Sequence, residues 1–415
     1  MRARVLAAAT VAVLLSTGTV VPADAAPPTA LAPGVTAPCP KLPTPAVTRP
    51  PRPTPPEPVP AQRAVGGEAL ATPGLVVPPG TPAPPPVTAT SWLVADLDSG
   101  EVLGGCGPHE YATPASVQKL LLAATMLPKL DPKQVATVTR EDLDIEPGSS
   151  AVGLLVGGRY PVETVWLGLL LQSGNEAANL LARLGAGSAE AGVREMNAEA
   201  RRLGALQTHA VTPSGLDGPG QFTSAYDLAL IARVCFANPT FRRYALTERA
   251  QIPAQPALRK RGFQIQNENP LIYDYPGALG GKTGFTDLAR HTYVGAAERN
   301  GRRLVVTLLN AERRPVRAWE QGARLLDWGF SLPPDSSVGR LVQPGEVTGD
   351  GAGPNPAAAP DAGAAVAAGR SSGGAPEWLG GAVVGGSAGL VGLLAALLAV
   401  GRRRRRPRRR AVQWD

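Results

Sequence analysis

Proline decides where this chain can fold. Residues 26–90 are dense in it, with Ala and Thr between ("TRPPRPTPPEPVP", "PPGTPAPPPV"). Such a stretch lacks the N–H groups that a sheet ladder needs and favours extended polyproline II. It reads as a spacer. A second segment, 332–377, is rich in Gly, Ala and Pro ("GDGAGPNPAAAPDAGAAVAAG") and reads as a flexible linker. Between them, 91–331 has ordinary composition and is the one stretch expected to bury a sizeable core.

The ends of the chain carry most of its charge. The net charge is +8, yet the tail 402–415 alone holds eight Arg and one Asp, and Arg2 and Arg4 add two more. That leaves about −1 for everything between. A nucleic-acid-binding domain carries its basic patch in the folded part, so no nucleic acid is expected as a partner. The start, "MRARVLAAATVAVLLSTGTVVPADAAPP", has two Arg, an apolar run and Ala23-Asp24-Ala25, which reads as a signal peptide over 1–25. Trp378 to Gly401 is 24 residues without a charge, directly before the Arg tail. That length crosses ~30 Å of hydrocarbon as a transmembrane helix, 378–401. The arginines after it predict a cytoplasmic basic tail, 402–415, and an extracytoplasmic catalytic domain on a single-pass protein.

Cysteine usage agrees with an oxidising compartment. Cys39 and Cys106 sit in loop-like contexts and are free to pair, whereas Cys235 lies in the apolar "LALIARVCF" and reads as a buried thiol; spacing does not fix the connectivity. With no CxxC, no HExxH and only three scattered histidines (His109, His209 and His291), the chain gives no reason to expect a zinc site.

Within 91–331, "SWLVADLDSGEVLGG" alternates around Asp98-Ser99-Gly100, and "HTYVGAAERNGRRLVVTLL" alternates around Asn300-Gly301; both are hairpin signals. Helical periodicity runs through 115–127, 163–185, 189–203, 224–236 and 316–328. Strands at both ends with helices between predict an α/β fold: an antiparallel β-sheet flanked by helices on both faces.

Three short motifs carry chemistry. The chain has only six lysines (Lys41, Lys119, Lys129, Lys133, Lys260 and Lys282), so arginine serves wherever a charge alone is needed. A retained Lys can mark a place where Arg cannot substitute, because a desolvated Lys can lose its proton, and two of the six lie in motifs that would need this. Lys119 closes Ser116-Val-Gln-Lys119, where the i, i+3 spacing puts both side chains on one helix face. A neutral Lys there can take the proton of a serine nucleophile. Ser173-Gly174-Asn175 forms a polar turn between two apolar helices. Lys282-Thr283-Gly284 lies before the second hairpin, on a strand, where an ammonium and a hydroxyl suit a carboxylate. S-x-x-K, S-G-N and K-T-G in this order are the signature of serine β-lactamases and penicillin-binding proteins.

On these motifs, and on "WLVADLDSGEVL", "LLLQSGNEAANLLA", "TPSGLDGPG" and "NPLIYDYPGALGGKTGFTDLA", the chain resembles the low-molecular-mass penicillin-binding proteins, the serine D-alanyl-D-alanine carboxypeptidases with a β-lactamase/transpeptidase-like fold. The resemblance implies roles. Ser116 is the nucleophile, Lys119 the base, and Ser173 a proton relay to the leaving amine. Asn175 orients substrate and Lys119, and Lys282 and Thr283 hold the terminal carboxylate. The N–H groups of Ser116 and Phe285, the latter following Gly284, form the oxyanion hole. It further implies a peptidoglycan stem peptide as substrate, β-lactam antibiotics as covalent inhibitors, and neither metal nor cofactor. Three features depart from the family: Glu176 stands where Asp is usual, Arg290 where Gly is usual, and the β-rich second domain of many relatives is missing. A DD-endopeptidase shares every motif. A class A β-lactamase needs a Glu about thirty residues after the second motif, and "GALQTHAVTPSGLDG" has none. A catalytically inactive wall-binding protein would not need all six polar motif side chains.

Overall fold

The computed structural model describes residues 36–347. The expected signal peptide, transmembrane helix and basic tail lie outside the described residues, as do the first part of the spacer and most of the linker. Among the described residues no helix is long and apolar enough to cross a membrane.

The main sheet has seven strands, β1 (Leu75–Val76), β2 (Ser91–Asp96), β3 (Glu101–Cys106), β4 (Ala278–Thr286), β5 (Arg290–Arg299), β6 (Arg302–Ala311) and β7 (Gly339–Arg340). Their lateral order is β1-β3-β2-β6-β5-β4, with β7 also on β3, and every pairing is antiparallel. Both expected hairpins form. At the second, Asn300 and Gly301 take φ of 53° and 77°, the double positive φ that a type I′ turn demands and that this residue pair tolerates.

Helices of eight or more residues are α1 (Lys119–Met126), α2 (Val162–Gln172), α3 (Asn175–Ala186), α4 (Ala189–Leu203), α5 (Ala225–Ala237) and α6 (Ala318–Ser331). Serines start two of them: Ser188 Oγ accepts from Ala191 N and Ser224 Oγ from Asp227 N, each at 3.1 Å. The helices cover both faces of the sheet, as the pattern predicts. Along β2, Leu93 and Ala95 face the core shared with α1 to α5, while Trp92 and Val94 face Leu325, Leu326 and Trp328 of α6. Trp92 and Trp328 meet edge to face at 6.0 Å. Each large apolar side chain buried this way contributes roughly 1.5–3 kcal/mol.

Two expected boundaries need correction. The spacer, in its described part, is a strap bound to the domain. Cys39 is disulfide-bonded to Cys106 on β3, β1 lies within the segment, and Leu70, Val87 and Ala89 are buried. Leu42 N donates to Val87 O at 3.0 Å, and Trp328 Nε1 donates to Pro82 O at 2.8 Å. Prolines cannot donate to a ladder, but their carbonyls accept and their rings pack, so a Pro-rich strand can line a folded surface. The linker likewise begins late. Leu332, Leu341 and Val342 are buried, and Val338, Arg340 and Leu341 donate backbone bonds to Val102, Gly66 and Gly100. The domain therefore extends on both sides of 91–331.

Candidate active site

The strand-like stretch "ATP" gives way at Ala115, whose φ of 50° turns the chain sharply into a short 3₁₀ turn, Ala115–Gln118, and on into α1. Holding a non-glycine there costs about 1–2 kcal/mol, so neighbours must enforce it. They do. Thr292 Oγ1 donates to Pro114 O at 2.8 Å. A Cβ on Gly215 would lie 2.0 Å from Ala115 O, and one on Gly284 would lie 2.8 Å from Ser116 N. Only glycine lets the 212–217 loop and β4 close on the turn from two sides. Ser116 is left half-buried at the end of a cleft.

Lys119 is fully buried beneath it. Its Nζ lies 2.8 Å from Ser116 Oγ, 2.8 Å from Asn175 Oδ1 and 2.9 Å from Ser214 O. Burial pushes its pKa well below the ordinary lysine value and the charge of Lys282 adds to this, against an opposing pull from Glu176. The three partners determine what a neutral Lys119 does. Asn175 Oδ1 and Ser214 O can only accept, so they take its two N–H bonds. The lone pair then points at Ser116 Oγ, the one partner with a proton to give.

Ser173 has a left-handed φ of 60°; it ends α2, and Gly174 leads into α3, so the periodicity over 163–185 resolves into two helices. The break is what brings Ser173 and Asn175 to the site. Ser173 Oγ is buried without a hydrogen-bond partner, and its residue lines the cleft with Ser116. On β4, Thr283, Gly284 and Phe285 line the same cleft of about 390 Å³, with the Phe285 ring half exposed at its mouth.

Lys282 is set back from it. It is 2% exposed, its Nζ donates to Thr283 O at 2.7 Å, and burial lowers its pKa to about 8, opposed by Glu268. Its effect on Lys119 is that of a nearby charge. The cleft has cations of its own, Arg313 and Arg317, both exposed and without a salt-bridge partner among the described residues. Sequence reading missed these two, along with Ser214 and Glu268. "ERRPVR" looks like any solvated charge run, and the part of Ser214 that acts is its backbone carbonyl.

Both family departures at the site have a local explanation. Glu176 is 1% exposed, and its longer side chain reaches Gly153 N at 2.8 Å and Leu154 N at 3.3 Å, tying down the loop beside Ser150. Arg290 takes φ of 55°, the conformation a glycine would adopt there, so the turn before β5 is kept. Its guanidinium is held by both oxygens of Glu312 at 3.2 Å and lies 5.3 Å over the Phe285 ring.

The site thus combines a Ser and a Lys on one helical turn, S-G-N between two helices and K-T-G on an edge strand, in a sheet flanked by helices. The family model for Peptidase_S11, described as D-alanyl-D-alanine carboxypeptidase, matches residues 79–313. The chain belongs to this family. It is a serine D-alanyl-D-alanine carboxypeptidase, and the match begins inside the segment that composition marks as spacer. The chain is similar to D-alanyl-D-alanine carboxypeptidase DacB2 of Mycobacterium tuberculosis, with 44% identity over 272 residues, covering 64% of this chain and 90% of that protein. It shares 33% identity with DacD of Escherichia coli over 262 residues, covering 60% of this chain and 65% of the relative. The crystal structure of D-alanyl-D-alanine carboxypeptidase from Mycobacterium tuberculosis H37Rv superposes with a TM-score of 0.60 at 43% identity, covering 64% of this carboxypeptidase and all of that chain (100%). The Streptomyces K15 DD-transpeptidase gives a TM-score of 0.57 at 25% identity, over 60% of this chain and 99% of the other.

Proposed function

We propose that the protein removes the terminal D-Ala of peptidoglycan stem pentapeptides through an acyl-enzyme on Ser116, outside the cytoplasmic membrane. Lys119 takes the hydroxyl proton as Ser116 Oγ bonds to the penultimate D-Ala carbonyl carbon. The carbonyl oxygen becomes an oxyanion facing the N–H groups of Ser116 and Phe285, each such donor being worth about 3 kcal/mol. As the C–N bond breaks, the proton passes from Lys119 by way of the Ser173 hydroxyl to the departing nitrogen. Water, deprotonated in turn by Lys119, then attacks the ester and releases the shortened peptide and free Ser116. Thr283 with Arg313 and Arg317 takes the terminal carboxylate, and the set-back Lys282 holds Lys119 neutral. β-Lactams enter as substrates whose leaving amine stays tethered, which makes them covalent inhibitors.

The observation that supports this reading most is the three-oxygen cage around Lys119, which leaves its lone pair aimed at Ser116 Oγ. The unpartnered Ser173 hydroxyl supports the relay. The test is labelling with a fluorescent penicillin. We expect stoichiometric labelling of the wild type and none of Ser116→Ala; an unlabelled wild type would overturn the reading.

Placement rests on the sequence. The leader-like 1–25 and the uncharged 378–401 before eight arginines favour a single-pass protein with its catalytic domain outside and its C-terminus in the cytoplasm. Protease added to spheroplasts should degrade the catalytic domain and spare the Arg tail, and deletion of 378–415 should release a soluble domain that still binds penicillin. A protected domain would contradict both the orientation and the wall substrate.

A further inference from the structure

The N-terminal strap reaches the rim of the cleft, and it does so through one residue. Glu312 follows β6, and its carboxylate is only 5% exposed. It is held from both sides. Arg49 of the strap donates to Glu312 Oε1 at 2.5 Å and to Asn310 Oδ1 at 3.1 Å. From the cleft side, Arg290 binds both Glu312 oxygens at 3.2 Å.

The Glu312 backbone is gripped by the strap as well. Its N–H donates to Thr88 Oγ1 at 2.8 Å, and its carbonyl accepts from Thr88 Oγ1 and from Gln321 Nε2, each at 3.2 Å. Asn310, beside it, has a φ of 55° at a register shift in the β5–β6 pairing, so the chain here leaves the ladder and depends on side chains to fix its path.

One group of the cleft hangs from this point. Arg290 stacks over the Phe285 ring at 5.3 Å, and Phe285 follows directly on Lys282-Thr283-Gly284.

We propose that the strap is part of the catalytic apparatus: Arg49 is a positioning residue that, through Glu312 and Arg290, fixes Phe285 at the oxyanion end of the cleft. A spacer would need no contact with the domain beyond its attachment. Here two separate strap positions, Arg49 and Thr88, converge on one buried acid whose other partner packs on Phe285. A carboxylate shared by two guanidinium groups sets the direction of both, and loss of one cation lets the other relax around the acid. The Phe285 N–H matters only when charge develops on the substrate oxygen. Its displacement therefore lowers the rate of the chemical step and leaves ground-state binding alone. This rests on the reading of the Phe285 amide as an oxyanion donor.

The experiment measures penicillin acylation of the disulfide-intact 36–347 segment in its full chain, resolving encounter affinity from the limiting acylation rate, together with thermal stability. The variants are Arg49→Ala, Arg49→Lys, Arg290→Ala and Arg49→Ala/Arg290→Ala, with Arg63→Ala as a control. Arg63 belongs to the same strap and pairs with Glu110, away from these residues.

For Arg49→Ala we expect a five- to tenfold lower limiting rate with unchanged encounter affinity and partial recovery in Arg49→Lys. The double variant should be no slower than Arg290→Ala alone. Arg63→Ala should acylate at the wild-type rate whatever its stability. Arg49→Ala within twofold of wild type while Arg290→Ala is slow would overturn the strap's role and leave the oxyanion assignment standing. Wild-type rates in both would overturn the Phe285 reading itself. Losses that multiply in the double variant would show that the two arginines act independently and refute the coupling.

Discussion

Lys282→Met should make the protein more stable and less active. Lys282 is buried, and its pKa of about 8 lies below the ordinary lysine value of 10.5 because burial disfavours its charge, with Glu268 opposing. A gap of roughly 2.5 units at 1.36 kcal/mol each is about 3 kcal/mol of native-state cost at pH 7. The sign follows from proton binding. Between the two pKa values the unfolded chain binds the proton that the folded chain has shed, so stability rises with pH over that window. The cost is fully present below pH 8 and vanishes above about 10.5. Methionine fills a similar volume without charge but gives up the bond to Thr283 O, worth about 1 kcal/mol. The net gain is about 2 kcal/mol, which for a domain of this size raises the Tm by about 3 °C at pH 7. Activity should move the other way. Lys282 is one of the causes of the low Lys119 pKa. Without it Lys119 regains its proton more readily, and acylation at pH 7 slows about tenfold for each unit gained. Thermal scans of both proteins from pH 6 to 10.5, at one scan rate, with penicillin acylation rates at each pH, test both statements. A variant that melts several degrees lower at pH 7, or a Tm gap that persists unchanged at pH 10.5, would refute the reasoning.

Other outcomes follow from the same geometry. Lys119→Arg keeps the charge but cannot take a proton, so stopped-flow acylation should fall by at least about 10²-fold; in the wild type the rate should rise with pH through the lowered Lys119 pKa. Cys39→Ser opens a loop closed across 67 residues and should cost about 4 kcal/mol in denaturant unfolding, with new proteolytic sites in the strap. Glu176→Asp withdraws the carboxylate from the Gly153 and Leu154 amides and should lower stability by about 1–2 kcal/mol, seen as a lower Tm.

Much of this is legible in the sequence alone, because it rests on local rules. Asn300-Gly301 specifies its own turn, and Ser188 and Gly204 bound α4 at the expected residues, 189–203. Ser116 and Lys119 meet because three residues make nearly one helical turn. What failed was nonlocal. Proline density at 26–90 correctly rules out a core of its own, yet it says nothing about whether the segment lies on someone else's. Cys39 bonds to Cys106 on β3, Val87 joins the cluster that includes Leu325 and Trp328 of α6, and Leu70 joins the core on the other face of the sheet, beside Gly339. Ser214 offers a main-chain carbonyl, which any residue type carries, and Arg313 and Arg317 line the cleft just after β6 ends beside His291 of β5, the partner of Phe285 on β4. The placement of the Lys282 ammonium was not legible for a similar reason. Its motif was plain, but the orientation of its ammonium toward Thr283 O depends on how closely β4 packs against the Ser116 turn.

The most direct test of the central claim is to map the penicillin adduct on the intact chain by mass spectrometry. The three-oxygen cage around Lys119 leaves one hydroxyl within reach of its lone pair, so one adduct per chain is predicted, on Ser116 and absent from Ser116→Ala. An adduct on any other residue, or full labelling of Ser116→Ala, would contradict it.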